Sequence, residues 1–236
     1  MYMEFDVPKA AVTPNDFGGY WLATMFLAPP PDRFEIRALT TTYMRLVQAA
    51  LVEYDAGVAS LMAYWDSNRA IAIGALQRAS SHFESCISTM LRAINCFRKL
   101  RSDNAGATVT AIVRSESAQF ARDDIWTRVR EVRNAIHHLE EKLIGGELSE
   151  GQPFFLFPDG PERQHPSEAD QTIKRIDRLR MADYELKFSD LVTWLNEMGR
   201  FAIKIAHRAN DAAIAGANAT TEKPANLIEF RTEVRL

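Results

Sequence analysis

Between Arg122 and Glu141 the chain concentrates residue types that move protons and hold anions. Arg133-Asn134-Ala135-Ile136-His137-His138 sets a guanidinium, a carboxamide and two imidazoles within six residues. An imidazole titrates near neutrality, so it can take or give a proton at pH 7. A guanidinium stays charged and grips two oxygens of a phosphate in one planar fork. Arg122, Trp126, Arg130, Arg133 and His137 recur at spacings of three or four, one stripe of a helix turning about 100° per residue. Asn134, His138 and Glu141 fall on another side of that helix. Three guanidiniums, an indole and an imidazole on one flank are more than solubility requires.

The element that must carry them is one helix, Ser115 to Leu143. Ile125, Val129, Val132, Ile136, Leu139 and Leu143 alternate spacings of four and three, the seam of a helix packed lengthwise on its neighbours. Gly145-Gly146 accepts left-handed backbone and stops it. Two long helices precede it, Arg33 to Asp66 with Asp32 as cap, and Arg69 to Leu100. Both keep three/four apolar spacing, and the short Ser67-Asn68 break predicts that they lie antiparallel. Residues 1–31 read as an irregular arm laid on the body by Trp21, Met25, Phe26 and Leu27. Arg101 to Arg114 reads as a loop. Across about 147–187 helical patterning gives way to Phe154–Phe157, the turn-like Pro158–Pro161, the loop Gln164–Asp170, then Thr172–Met181 and the alternating Tyr184, Leu186 and Phe188, which predicts a small β-hairpin insertion. Ser189 caps a last helix to about His207. Residues 209–236 form a tail, with a linker at Asp211 to Lys223 and room for a terminal strand at Leu227 to Leu236. The expected fold is mostly α, an antiparallel helical bundle over 32–208 carrying the hairpin.

The hexapeptide resembles the motif of HEPN domains, the higher-eukaryote and prokaryote nucleotide-binding helical modules. Their signature is an Arg, often followed by Asn or Asp, with a His after four to six intervening residues. Arg133, Asn134 and His138 match it as they stand. The resemblance implies a HEPN-like bundle that dimerises, so that two motifs meet at a two-fold axis. It implies a metal-independent endoribonuclease of a toxin or defence system, without cofactor. His138 would transfer the proton, Arg133 would stabilise the phosphate and Asn134 would position it. Arg122, Trp126 and Arg130 would contact RNA. His137 stays open as the rival acting residue, because helix geometry sets it four residues from Arg133. The family also contains members without catalysis, so a module binding RNA, a nucleotide or a partner protein (an antitoxin or a small nucleotidyltransferase) is the alternative. A helical scaffold whose polar flank merely faces water is the third.

Composition bounds these readings. A chain of 236 residues with 47% hydrophobic and 25% charged residues can bury a sizeable core. A net charge of −3 offers no global field to nucleic acid, so binding must use local patches. Two further basic clusters qualify, Arg92, Arg98, Lys99 and Arg101, and Lys174, Arg175, Arg178 and Arg180; a solvated face balanced by acids is the plainer reading of each. Cys86 and Cys96 lie about 15 Å apart along one helix, too far for a disulfide, and read as small core residues. His82 with Glu84 reads as a surface pair, His165 as a loop residue, and His207 as a favourable cation near a helix C-terminus. The N-terminus lacks the basic start of a signal peptide, and the apolar run Tyr20 to Ala28 falls short of the ~20 residues that span a bilayer. A cytoplasmic protein with no membrane partner is expected. No Glu-x-x-His pair on the expected helices, and no phosphate loop, dinucleotide fingerprint or nucleophile elbow, occurs, and adjacent His137 and His138 diverge too far to chelate one metal.

Overall fold

The computed structural model describes residues 1–26, 33–66, 72–103, 108–146, 153 and 155–219, with backbone alone for 22, 23, 25, 26 and 209–219. The chain is mostly helical with small sheets. It opens with strand β1 (Tyr2–Phe5), a 3-10 turn at Pro14–Phe17 and helix α1 (Gly18–Phe26). The long helices α2 (Phe34–Asp66) and α3 (Ile73–Ser102) follow, then α4 (Thr108–Arg114), a 3-10 turn at Gln119–Ala121, α5 (Asp123–His137) and α6 (Leu139–Ile144). Strands β2 (Phe157–Asp159), β3 (Glu162–Gln164), β4 (Thr172–Ile176), β5 (Arg178–Met181) and β6 (Tyr184–Lys187) lead into α7 (Phe188–Ala219).

The apolar spacing of α2 and α3 is the reason they pair. α2 buries Tyr43, Met44, Val47, Leu51 and Tyr54, and α3 answers with Phe83, Ile87, Met90, Ile94 and Phe97. Arg33 meets Asp103, Tyr43 meets Phe97 and Tyr54 meets Phe83, so the two run antiparallel. At Gly57 the ring of Phe83 approaches so closely that a Cβ would lie 2.8 Å from it. α7 runs parallel to α3, with Phe188 against Phe83 and Phe201 against Phe97. The buried Tyr43 hydroxyl donates to the Met198 carbonyl at 2.9 Å, which satisfies a phenol that water cannot reach. By length and composition α2 could also cross a bilayer; here its large apolar side chains fill the core.

Three sequence expectations change. The N-terminal arm does lie on the body, but it is ordered into β1, a turn and α1 rather than irregular. Phe17 is fully buried, Trp21 Nε1 donates to Gln48 Oε1 at 3.0 Å, and Asn196 Oδ1 accepts the Ala11 N–H at 2.8 Å. Gly18 and Gly19 open α1 despite a propensity cost of about 1 kcal/mol each, because the helix packs on α7. The expected loop at 101–114 holds α4, whose Thr110 and Val113 are buried. Arg114 donates to the carbonyls of Arg101 and Asp103, both at 2.8 Å, closing the end of α3. The last helix does not end at His207: its backbone is helical to Ala219, so 211–219 is no linker and His207 is not near a helix terminus. The Pro29–Pro31 triplet, the Asp32 cap, the Ser67-Asn68 break, residues 69–71, Phe154 and the tail beyond 219 lie outside the described residues.

The described strands make two three-stranded sheets, β1-β4-β3 and β2-β5-β6. β5 and β6 form an antiparallel hairpin, but β1 joins β4 in parallel from the far end of the sequence. Asp159 ties the sheets together: it pairs with Lys174 at 2.6 Å on β4 and with Arg180 at 2.8 Å on β5. Gly160 then passes beneath β4, where a Cβ would stand 1.6 Å from the Arg175 carbonyl oxygen.

Candidate functional site

The single helix expected from Ser115 to Leu143 is divided. Ser115 to Ala118 is not helical, and the 3-10 turn that follows is anchored from α7. Glu197, 8% exposed, accepts the N–H groups of Gln119 and Phe120, each at 3.0 Å. A buried carboxylate needs such donors, and the turn needs such an acceptor. Phe120 wedges between Phe97 and Phe201 at ring distances of 4.7 and 6.0 Å. α5 therefore begins only at Asp123, with Asp123 and Asp124 in its first turn, where carboxylates suit the positive end of a helix. The second break falls at His138, whose φ of −110° and ψ of 23° leave the helical region. The apolar seam explains it. Val129, Val132 and Ala135 are buried, but Leu143 is 48% and Ile144 89% exposed, so beyond Ile136 the helix has little core to lie on. Gly146, at φ +68°, ends α6 as the sequence predicts.

α5 lies antiparallel to α3, with Asp123 near Arg98, Trp126 near Asn95 and His137 near Ser88. Its rotation is set by Arg128, a residue the sequence reading passed over. Arg128 bonds Asp190 Oδ2 and the Glu185 carbonyl, both at 3.1 Å, and lies 5.9 Å from the Trp194 ring. The i, i+4 spacing of Asp190 and Trp194 at the head of α7 was the available signal. With Arg128 reaching to the head of α7, the stripe of Trp126, Arg130 and His137 runs along the outer face of α3.

Trp126 is clamped between cations: the Arg98 guanidinium stands 4.9 Å and that of Arg130 4.4 Å from its ring, while its Nε1 donates to Asn95 Oδ1 at 2.8 Å. Arg122 departs from the stripe, folding back on Asp124 through two bonds of 3.0 Å. Beside it a cleft of about 550 Å³ opens between Arg98, Arg101, Arg122, Asp123 and Asp124. At the opposite end of α5, Arg133 Nη1 donates to Asn134 Oδ1 at 3.2 Å. His137 Nε2 lies 3.4 Å from Ser88 Oγ, and His138 Nδ1 lies 3.0 Å from Glu141 Oε2. Arg133 and Asn134 are half-buried, and both histidines are exposed. His137 is held below its ordinary pKa by burial first, then by the charge of Arg133 and the neighbouring His138, against an opposing pull from Glu140. These influences favour its neutral form.

The other candidates resolve differently. In the sheets Lys174 and Arg180 are taken by Asp159, Arg175 by Asp6, and Arg178 by Asp177 and Glu185. That cluster is a set of structural ion pairs. His82 pairs not with Glu84 but with Glu53 across the α2–α3 interface at 2.7 Å. His165 packs on the Tyr2 ring at 4.8 Å. Cys86 is buried and its thiol is raised by that burial; Cys96 is half-buried. Among the described residues no group of three His, Cys, Asp or Glu side chains is placed to hold a metal. Comparison of the chain with protein-family models, characterised proteins and solved structures found no match.

Proposed function

We propose that this chain is a metal-independent endoribonuclease of the HEPN type, working as a homodimer. The observation that carries the reading is the chain of contacts at the end of α5 through Asn134, whose Oδ1 accepts from Arg133 Nη1 at 3.2 Å and whose carbonyl accepts the His138 N–H at 2.9 Å. There the imidazole is exposed, and the guanidinium has no carboxylate partner among the described residues. In this reaction His138 takes the proton from a ribose 2′-hydroxyl, the 2′-oxygen attacks phosphorus, and the bond to the 5′-oxygen breaks. The His138 of a second copy protonates that leaving oxygen, so a cyclic phosphate and a 5′-hydroxyl result. Arg133 neutralises the charge that gathers on the phosphorane oxygens, and Asn134 holds its fork toward them. Arg130 and Trp126 extend a cationic, aromatic path along α3 for the flanking nucleotides. Each His138→Ala or Arg133→Ala exchange should slow RNA cleavage in EDTA by about 10²–10⁴-fold. The mass in solution and the urea midpoint should not change. Cleavage by either variant at the unaltered rate, or a monomer at working concentration, defeats the proposal.

A second reading, a module that binds RNA without cutting it, has its own support. The cleft at Arg98, Arg101 and Arg122 lies at the far end of α5, roughly 20 Å from His138. Arg98 Nη1 is buried there without a hydrogen-bond partner among the described residues. This reading predicts RNA capture without turnover, unaffected by His138→Ala.

A further inference from the structure

We propose that Glu141 is the positioning residue of His138, fixing which ring nitrogen carries the proton; this rests on the reading of His138 as the proton-transfer residue. The break at His138 makes that residue both the end of α5 and the start of α6. The backbone stays hydrogen-bonded across the break, since the His138 N–H donates to the Asn134 carbonyl at 2.9 Å and the Lys142 N–H to the His138 carbonyl at 3.1 Å. Both side chains are therefore carried on a continuous backbone, and Glu141 falls one turn along from His138.

The pair stands 3.0 Å apart, Nδ1 to Oε2. A carboxylate accepts hydrogen bonds and donates none, so Nδ1 must carry the hydrogen. The neutral ring then has its lone pair on Nε2, the nitrogen on the far side from Glu141. A base can act only through an unprotonated nitrogen turned toward its substrate. Without the carboxylate, the imidazole is free to place its proton on either nitrogen and to rotate about its bonds. His137 does not share the arrangement: its Nε2 faces the Ser88 hydroxyl, and no carboxylate hydrogen-bonds its ring among the described residues. The carboxylate thus distinguishes two adjacent histidines that spacing alone leaves equal, and it selects His138 as the oriented one.

The alternative account is that Glu141 merely decorates the first turn of α6, where a carboxylate is favourable at any helix N-terminus. The two differ in what they move. Glu141→Ala should lower kcat for RNA cleavage about 10–100-fold with KM and the urea midpoint unchanged. Glu141→Gln should keep activity within a few-fold of the unaltered protein, because its amide oxygen still accepts from Nδ1. In ¹⁵N-histidine-labelled protein, long-range correlations should report His138 as the Nδ1–H tautomer, and Glu141→Ala should shift it toward Nε2–H while leaving His137 in place. Full activity in Glu141→Ala, or a His138 tautomer indifferent to that change, overturns the proposal. A protein that does not cleave RNA, while the tautomer still follows Glu141, refutes the nuclease reading and with it the catalytic role of Glu141, leaving a surface pair.

Discussion

Two basic regions of this molecule look alike in composition and differ in what their charges face. In the sheets, Lys174, Arg175, Arg178 and Arg180 meet the neighbouring Asp177 and acids brought from three other places in the chain, Asp6, Asp159 and Glu185. Along α5, Arg130 faces an indole and Arg133 a carboxamide, with no ion pair for either among the described residues. A guanidinium already held in a fork by a carboxylate is spent on architecture. One that rests on neutral partners keeps its charge for an incoming anion. The comparison assigns structural ion pairs to the first cluster and leaves Arg130 and Arg133 of the second for the recognition role proposed above.

The sharpest break of the first region is Gly160→Ala. A Cβ there collides with the Arg175 carbonyl, backbone against backbone, and the collision cannot be relieved by a side-chain rotation. A loss of about 3 kcal/mol or more in urea unfolding is expected, with the cleavage rate of the remaining folded protein unaltered. Asp159→Ala should cost about 2 kcal/mol, because it strands Lys174 and Arg180 together. Burial pushes the Asp159 carboxyl up, but hydrogen bonds from Lys174, the Gly160 N–H and Arg180 outweigh it and hold the group below its ordinary value. Its folded pKa is thus lower than its unfolded one, so its stabilisation is complete above about pH 4 and fades as pH falls through the folded value. Asp159→Asn should flatten the acid limb of the stability profile in that window. The smallest effect belongs to the second region. Arg130→Ala should weaken binding of an uncleavable RNA a few-fold and reduce the slope of log affinity against log salt by about one, whereas Arg175→Ala should leave the slope alone. Equal slopes for the two variants would erase the contrast between the regions.

The difference also marks how far one-dimensional reading reaches. The apolar spacing of Tyr43, Val47 and Tyr54 against Phe83, Ile87 and Ile94 predicts two long paired helices, because a helix displays its own period in sequence. α4 was missed because β-branched Thr108, Val109 and Thr110 favour other conformations until tertiary burial overrides them. The parallel pairing of β1 with β4 was missed because its partners stand about 170 residues apart, and nothing local encodes the meeting.

The amino-acid sequence by itself determined the helical period, the polar stripe on α5, the Gly145-Gly146 stop and the grouping of Arg133, Asn134, His137 and His138, since each depends on neighbours within a turn or two. Tertiary structure alone decided which charges are spent. Glu197 delays the start of α5, Arg128 sets its rotation, exposure of Leu143 and Ile144 breaks it at His138, and Asp6 and Asp159 reach from other segments to quench Arg175 and Arg180. Those outcomes turn on side chains far apart in the chain competing for the same space and the same hydrogen bonds, a competition that exists only after the chain has folded.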